Sequence, residues 1–377
     1  MQTQRHHKKR LVSFCCLSYN HELYIDYCLN SIIQQKYSNI EIIILDDGSQ
    51  DKSAEKLKAY ARIYSSIPIK IFLQKNTGNI AKNFNTLLNH ACGEYVTFIS
   101  MDDYVEKDCI SSKIEFLESN QNMSFVANKL NNRVDQNNKC IFANESCVDW
   151  SRETCYNTKD LLEIEFKYIG AFYIQGALFR RNLIDKVGGF DADLLGDDII
   201  LRTKILLYMI KNPNLEFKLL NQSAVNYRLH DKNISKNLFR QILVVKEWKD
   251  RYFAESLYPR VFLEWLSCAI KEYRSNYKLK EYAKLIEILN DASIGLDKDF
   301  KEQYLNSLLK VQSYKQKRYI LPFIFEVCYK KTNTCKSLGL IIIGIKALEF
   351  INFMHEPNIN SIKQVRCFNM TLFSSKK

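Results

Sequence analysis

"YVTFISMDDYVEKD" fills residues 95–108. Tyr95, Val96, Phe98 and Ile99 read as a buried strand, and Asp102 and Asp103 stand side by side at its exit. Two adjacent carboxylates at a strand end repel one another unless a cation sits beside them. The same ending closes "IEIIILDDGS" (40–49), an apolar run that stops at Asp46 and Asp47. "RLVSFCCLSY" (10–19) and "IKIFLQ" (69–74) are further strand candidates. Between them, "HELYIDYCLNSIIQQKY" (21–37), "DKSAEKLKAYARIY" (51–64) and "NIAKNFNTLLNHAC" (79–92) carry apolar residues at helical spacing. Apolar strands alternating with helices predict an α/β fold whose parallel sheet is covered on both faces. Ligands of such sheets sit beyond the carboxyl ends of the strands. Tyr19, Asn20 and both aspartate pairs fall there.

Further along, the Asn-rich stretch of 120–165 reads as turns and short antiparallel strands. Residues 173–206 predict a strand, a short helix, a Gly-Gly turn, a loop and a helix, with Asp197-Asp198 behind Gly196. A strand at Ala224–Arg228 leads into a polar loop holding His230. From about 238 onward the periodicity is helical, as in Leu257, Val261, Phe262, Trp265, Leu266, Ile270 and Tyr273. This predicts a domain over 1–235, with halves at 1–103 and 104–235, and a helical region over 236–377.

Hydrophobic content of 46% with 25% charged residues is globular composition, which argues against disorder. The twelve cysteines form no CxxC pair, so neither a zinc site nor a disulfide framework is expected, and free thiols fit a reducing cytoplasm. The basic start, "MQTQRHHKKR", precedes too short an apolar stretch for a secretory signal. "LGLIIIGI" (338–345) falls well short of the ~20 residues of a membrane span, so no bilayer crossing is expected. Residues 1–230 hold 28 Lys and Arg against 27 Asp and Glu, and residues 231–377 hold 26 against 15. The basic field therefore belongs to the C-terminal part. There, Lys310, Lys315, Lys317, Arg318, Lys330 and Lys331 bracket the apolar block 319–325. Helices with solvated basic faces are one reading. Peripheral attachment to an anionic membrane is the other, each basic residue adding about 1 kcal/mol.

Taken singly, each acid pair has a structural reading: a turn at Asp46-Asp47, an N-cap at Asp102-Asp103, an acidic first helical turn at Asp197-Asp198. Their order is more specific. "SYNHE", "ILDDGSQDKS", "NTGNIAKNFNTLLNHACGEYVTFISMDDY", "GGFDADLLGDD" and "YRLHDKNIS" together resemble the family 2 glycosyltransferases of the GT-A fold, across residues 10–235.

That resemblance implies a Rossmann-like nucleotide-binding mixed sheet flanked by helices and a nucleotide-sugar donor, with UDP favoured. It also implies Mn²⁺ or Mg²⁺ on the diphosphate. Leu17, Tyr19 and Asp47, beside Asp46, match the nucleoside side, Asp102 the ribose side and Asp103 the metal ligand. Asn76, Gly78 and Asn85 match the loop and helix around the donor. Arg228 and His230 match the element closing over the diphosphate, His230 as a metal or phosphate contact. Asp198 matches the catalytic base of an inverting transfer. Two positions depart from the family pattern: Ser100 replaces the first acid of its motif, and Asp197 replaces a glutamate. The implied acceptor is a saccharide or lipid-linked saccharide in surface polysaccharide or lipooligosaccharide synthesis, handled in the cytoplasm or at the inner face of its membrane. Two rivals stay open, a glycosyltransferase-like partner subunit without catalysis and a basic nucleic-acid-binding protein. Against the latter, no nucleic-acid motif is present, and no GxxxxGK[ST], GxGxxG or GxSxG loop supports another chemistry.

Overall fold

The computed structural model describes residues 10–292 except Tyr277, and the segments 319–320, 326–329, 362–367 and 370–374. The chain divides into two compact units after Phe262. In the first, the strands are β1 (Val12–Ser18), β2 (Ile40–Asp46), β3 (Ile69–Leu73), β4 (Tyr95–Ser100), β5 (Tyr104–Val105), β6 (Met123–Val134), β7 (Cys140–Glu145), β8 (Tyr173–Arg180) and β9 (Glu216–Arg228). Its helices are α1 (Ile25–Ile33), α2 (Ser53–Ile63), α3 (Ile80–His90), α4 (Ser111–Ser119), α5 (Thr158–Tyr168), α6 (Arg181–Lys186), α7 (Asp198–Lys211) and α8 (Leu238–Tyr252).

One mixed sheet runs β3-β2-β1-β4-β8-β6-β9-β5, with β7 paired to β6. The first four strands are mutually parallel, as the apolar runs predict. From β8 the direction reverses, since β8 is antiparallel to both β4 and β6. Every residue of β1 and β2 is buried. Cys15, Leu17, Ile43 and Leu45 face the core shared with α3 and α7, whereas Val12, Phe14, Cys16, Ile42 and Ile44 face the core shared with α1 and α4. Each fully buried side chain of this size contributes about 1.5–3 kcal/mol, so two covered faces hold the parallel half rigid.

Residues 120–165 depart from the expectation of turns and short strands. β6 runs for twelve residues, parallel to β9 and antiparallel to β8. α5 is a full helix whose Asn157 and Asp160 form a reciprocal capping box. β9 extends for thirteen residues, well beyond the five predicted at 224–228. The first unit also takes in α8, whose Trp248 is fully buried and donates to Thr203 Oγ1 on α7 at 2.7 Å.

Towards the second unit the helical expectation holds through α9 (Arg260–Ser275) and α10 (Leu279–Ala292). Beyond them the described segments are strands rather than helix: β10 (Tyr319–Ile320), β11 (Glu326–Tyr329), β12 (Ile362–Cys367) and β13 (Met370–Ser374), in one antiparallel sheet. The basic residues 310–318, 330 and 331 invoked for membrane attachment lie outside the described residues. Among the described residues no helix is long and apolar enough to cross a membrane.

Candidate active site

The site forms where β1, β2 and β4 end. At the end of β2, Asp46 accepts from the Ser49 N–H at 2.9 Å and the Ser49 hydroxyl at 2.6 Å, closing a tight turn. Gly48 sits there at φ +80°, and a Cβ on it would lie 2.5 Å from the Asn76 nitrogen, so only glycine lets the two loops approach. Asp47 pins the neighbouring loop. It accepts from Gln74 Nε2 at 2.7 Å, the Thr77 N–H at 2.9 Å and the Gly78 N–H at 3.3 Å. Asp46 and Asp47 are both buried, and Asn76 and Gly78 lie on the loop that Asp47 holds. Leu17 is buried in the sheet, whereas Tyr19 is 44% exposed just past the exit of β1.

Past β4 the two adjacent aspartates separate in role. Asp103 points inward, its Oδ1 accepting from the Arg228 N–H at 2.7 Å and its Oδ2 from Gln175 Nε2 at 2.8 Å. Burial, and then the charge of Asp102, push its carboxyl well above the usual range. Asp102 turns toward two imidazoles: its Oδ2 lies 3.0 Å from His230 Nε2 and 3.9 Å from His21 Nε2. Burial alone would raise Asp102, but His21, His230 and the Ser100 hydroxyl outweigh it and hold the group below the usual carboxylate range. Asp102 Oδ1 and His21 Nδ1 are buried without a hydrogen-bond partner. Burial also lowers the pKa of His21. The His230 ring stacks on Tyr24 with centroids 5.2 Å apart.

His230, expected as a metal or phosphate contact, thus pairs with Asp102. Arg228 lies inside the fold. It is fully buried, its Nε donating to the Asp102 carbonyl at 2.7 Å and its Nη1 to the carbonyls of Asp135 and Gln136 at 3.2 and 3.3 Å. The rings of Tyr24, Tyr27 and Tyr104 surround its guanidinium at 4.6–5.6 Å. Such a residue shapes the Asp102 backbone from beneath.

Asp197 and Asp198 open α7. Asp197 is the N-cap, accepting from the Asp198 N–H at 2.8 Å, and burial together with the Asp198 charge raises it to about 6. Asp198 has a 57% exposed side chain, with Oδ1 accepting from the Ile199 N–H at 2.6 Å and Oδ2 2.9 Å from Arg202 Nη1. The loop before them is anchored twice. On the α3 side, Asn85 exchanges both hydrogen bonds with the Phe190 backbone and Asn79 donates to the Ala192 carbonyl at 2.8 Å. Asn85 is thus a structural tie. From α8, Arg240 and Glu247 bind the Leu195 backbone at 2.7 and 2.8 Å, and Arg251 binds Asp193 at 2.6 Å.

Four participants escaped the sequence reading. His21 stands inside the quoted "SYNHE" and could have been weighed as an imidazole at the end of β1. Gln175, Glu165 and Arg202 carry no local signal, because their partners come from distant elements. Among the described residues no group of three or more His, Cys, Asp or Glu is arranged to hold a metal. Asp102 and His230 offer two ligands, and the buried unpartnered Asp102 oxygen suits a hard cation completed by ligand oxygens.

Comparison with known proteins agrees with this layout. The glycosyl transferase family 2 model matches residues 13–188, which include His21, Asp102 and Asp103, whereas Asp198, Arg228 and His230 lie beyond the match. Over those residues the chain is similar to the family 2 glycosyltransferases. A glycosyltransferase of Streptococcus pneumoniae, GlyA, is 25% identical over 337 residues, 85% of this chain and 45% of its own length. EpsJ of Bacillus subtilis, described as an uncharacterized glycosyltransferase, is 36% identical over 29% of this chain and 31% of its own. The chain thus spans less than half the length of these curated relatives. Among solved structures, a Pyrobaculum calidifontis mannosyltransferase in complex with GDP-Man and Mn²⁺ is similar at TM-score 0.49 and 16% identity, covering 82% of each chain. The S. aureus protein TarS with UDP-GlcNAc is similar at TM-score 0.45 and 17% identity, covering 80% of each. The matched residues contain β2, β3, β4 and β8 of the mixed sheet described above.

Proposed function

We propose that the protein moves a sugar from a nucleotide-sugar, UDP-linked by preference, to a hydroxyl of a saccharide or lipid-linked saccharide, with inversion and with a divalent cation in the donor site. The setting is surface polysaccharide or lipooligosaccharide synthesis on the cytoplasmic side of a membrane. The observation that carries this reading is the 3.0 Å pair of Asp102 and His230 at the exit of β4, with one Asp102 oxygen buried and unpartnered. Asp102 and His230 would hold the cation, which moves the ligand role from Asp103 to its neighbour. An imidazole in the donor set favours Mn²⁺ over Mg²⁺. When bound, such an ion supplies Lewis-acid neutralisation of the departing diphosphate.

The chain's own groups do the rest. Asp103 keeps the Asp102 backbone in place by binding the Arg228 N–H. Tyr19 offers its ring to the base, and Asp47 holds the loop of Asn76 and Gly78 against it. Asp198 takes the proton of the acceptor hydroxyl. The bond from acceptor oxygen to anomeric carbon forms as the bond from that carbon to the diphosphate oxygen breaks. The proton ends on Asp198, and the electron pair leaves with the nucleoside diphosphate. One base suffices for a single displacement.

Calorimetric titration of UDP with and without Mn²⁺, on wild type, Asp102→Ala and Asp103→Ala, tests the donor site. Expected is binding that needs the metal and is lost in Asp102→Ala. Loss in Asp103→Ala alone would return the ligand role to Asp103. No UDP binding in any condition would overturn the reading. Nucleotide release from UDP-glucose, UDP-galactose, UDP-N-acetylglucosamine, UDP-N-acetylgalactosamine and GDP-mannose, with water as acceptor, then identifies the donor.

A further inference from the structure

Asp198 faces solvent on one side and is tied to the buried core on the other. Its Oδ2 meets Arg202 Nη1 at 2.9 Å, one turn along α7. Arg202 is buried, and its Nε lies 2.9 and 3.0 Å from the two oxygens of Glu165 on α5. Glu165 is fully buried and also accepts from the Ala171 N–H at 2.6 Å. The chain of contacts therefore runs from a sealed carboxylate through one planar guanidinium to an exposed carboxylate.

A buried ion pair of this kind gives little net stability, because desolvating both partners offsets their attraction. Apolar residues of similar volume would serve packing as well. The pair does achieve one thing that packing cannot. With Nε committed to Glu165, the rigid fork leaves Nη1 at a set angle toward Asp198. The other Asp198 oxygen accepts from the Ile199 N–H, so the carboxylate is oriented at both oxygens. Each oxygen keeps a lone pair for an incoming hydroxyl.

We propose that Glu165 and Arg202 are positioning residues that hold the Asp198 carboxylate in the orientation from which it accepts the acceptor proton. The proposal rests on the reading of Asp198 as the base, and its test separates the two.

The first arm needs no substrate. A water-soluble carbodiimide with glycine ethyl ester labels accessible carboxyls, and mass spectrometry follows the Asp198 peptide in wild type and in Arg202→Lys. Lysine keeps the charge and loses the fork, so Asp198 labelling should rise several-fold while the melting curve keeps its cooperativity. Unchanged labelling overturns the proposal.

The second arm measures nucleotide release from whichever of the five donors above reacts fastest. Glu165→Gln should lower kcat about tenfold with donor KM within about threefold, and Asp198→Asn should lower it about a hundredfold or more. The Asp198→Asn, Glu165→Gln double variant should be no slower than Asp198→Asn alone, since a residue acting through Asp198 then has nothing left to act on. Losses that multiply in the double variant overturn the proposal in favour of a structural role. If Asp198→Asn keeps wild-type kcat, the base assignment fails instead. If wild type releases nucleotide from no donor, the proposed function fails and the labelling arm alone decides whether Arg202 holds Asp198.

Discussion

Asp102-Asp103 and Asp197-Asp198 are the same pair of letters at two places in one unit, and the fold relieves their repulsion in different ways. In each pair one carboxylate is spent on the backbone: Asp103 on the Arg228 N–H, Asp197 on the cap of α7. The other carboxylate then differs. Asp102 meets two titratable imidazoles and keeps an unpartnered oxygen, whereas Asp198 meets a permanently charged guanidinium backed by Glu165. The first arrangement leaves an oxygen for an exchangeable cation, and the second carries its cation within the fold. Sequence-adjacent acids therefore say that a counter-charge is needed and not which kind.

The comparison breaks most visibly at Arg202. Arg202→Met strands the buried Glu165 charge and should cost about 3–5 kcal/mol in urea denaturation. A loss within experimental error would mean that the second pair does not depend on its built-in cation. At the first pair the large effect should fall on binding instead. Asp102→Asn should weaken Mn²⁺-dependent UDP binding about a hundredfold or more, roughly 2.7 kcal/mol. An equal weakening by Asp198→Asn would erase the contrast between the two sites.

A smaller effect sharpens the second pair through pH. Asp197 titrates near 6 when folded, against 3.8 for its ordinary value, so the folded state prefers it protonated. That preference adds stability below about pH 4 and fades as the pH rises through 6, on the order of 2 kcal/mol in all. Asp197→Asn keeps the cap acceptor and removes the titration. Its melting temperature relative to wild type should therefore climb between pH 4 and 7, and a flat difference would contradict the burial of this carboxyl. The smallest effect is a control. Asn79→Ala removes the N-cap of α3 and its bond to Ala192, which should cost about 1 kcal/mol and leave UDP binding unchanged.

Much of the parallel half was legible because its strands are largely apolar and end in polar residues, as strands covered on both faces do. The antiparallel half was less so. β6 is buried throughout its first six residues and irregularly buried beyond them, among several asparagines, and its pairing with β9 spans about ninety residues, which no local pattern records. The capping box of α5 was a readable signal, hidden by the assumption that an Asn-rich stretch is irregular. At the site, the acid pairs and His230 stood out as residue types. The burial of Arg228 among three tyrosine rings has no local signal, because those rings come from distant parts of the chain.

By itself the sequence determined the parallel half, the strand-end position of Asp46, Asp47, Asp102 and Asp103, and the helix start at Asp198, since each follows from spacing of about 2 or 3.6 residues and from the chemistry of neighbours in the chain. Tertiary structure decided the partners of each member, setting Asp102 against two imidazoles and Asp198 at the surface. It also brought His21 and His230 to Asp102 across 81 and 128 residues of chain, and Glu165 to Arg202 across 37. Those choices depend on hydrogen-bond donors delivered by other strands and helices, so they exist only once the sheet has closed around them.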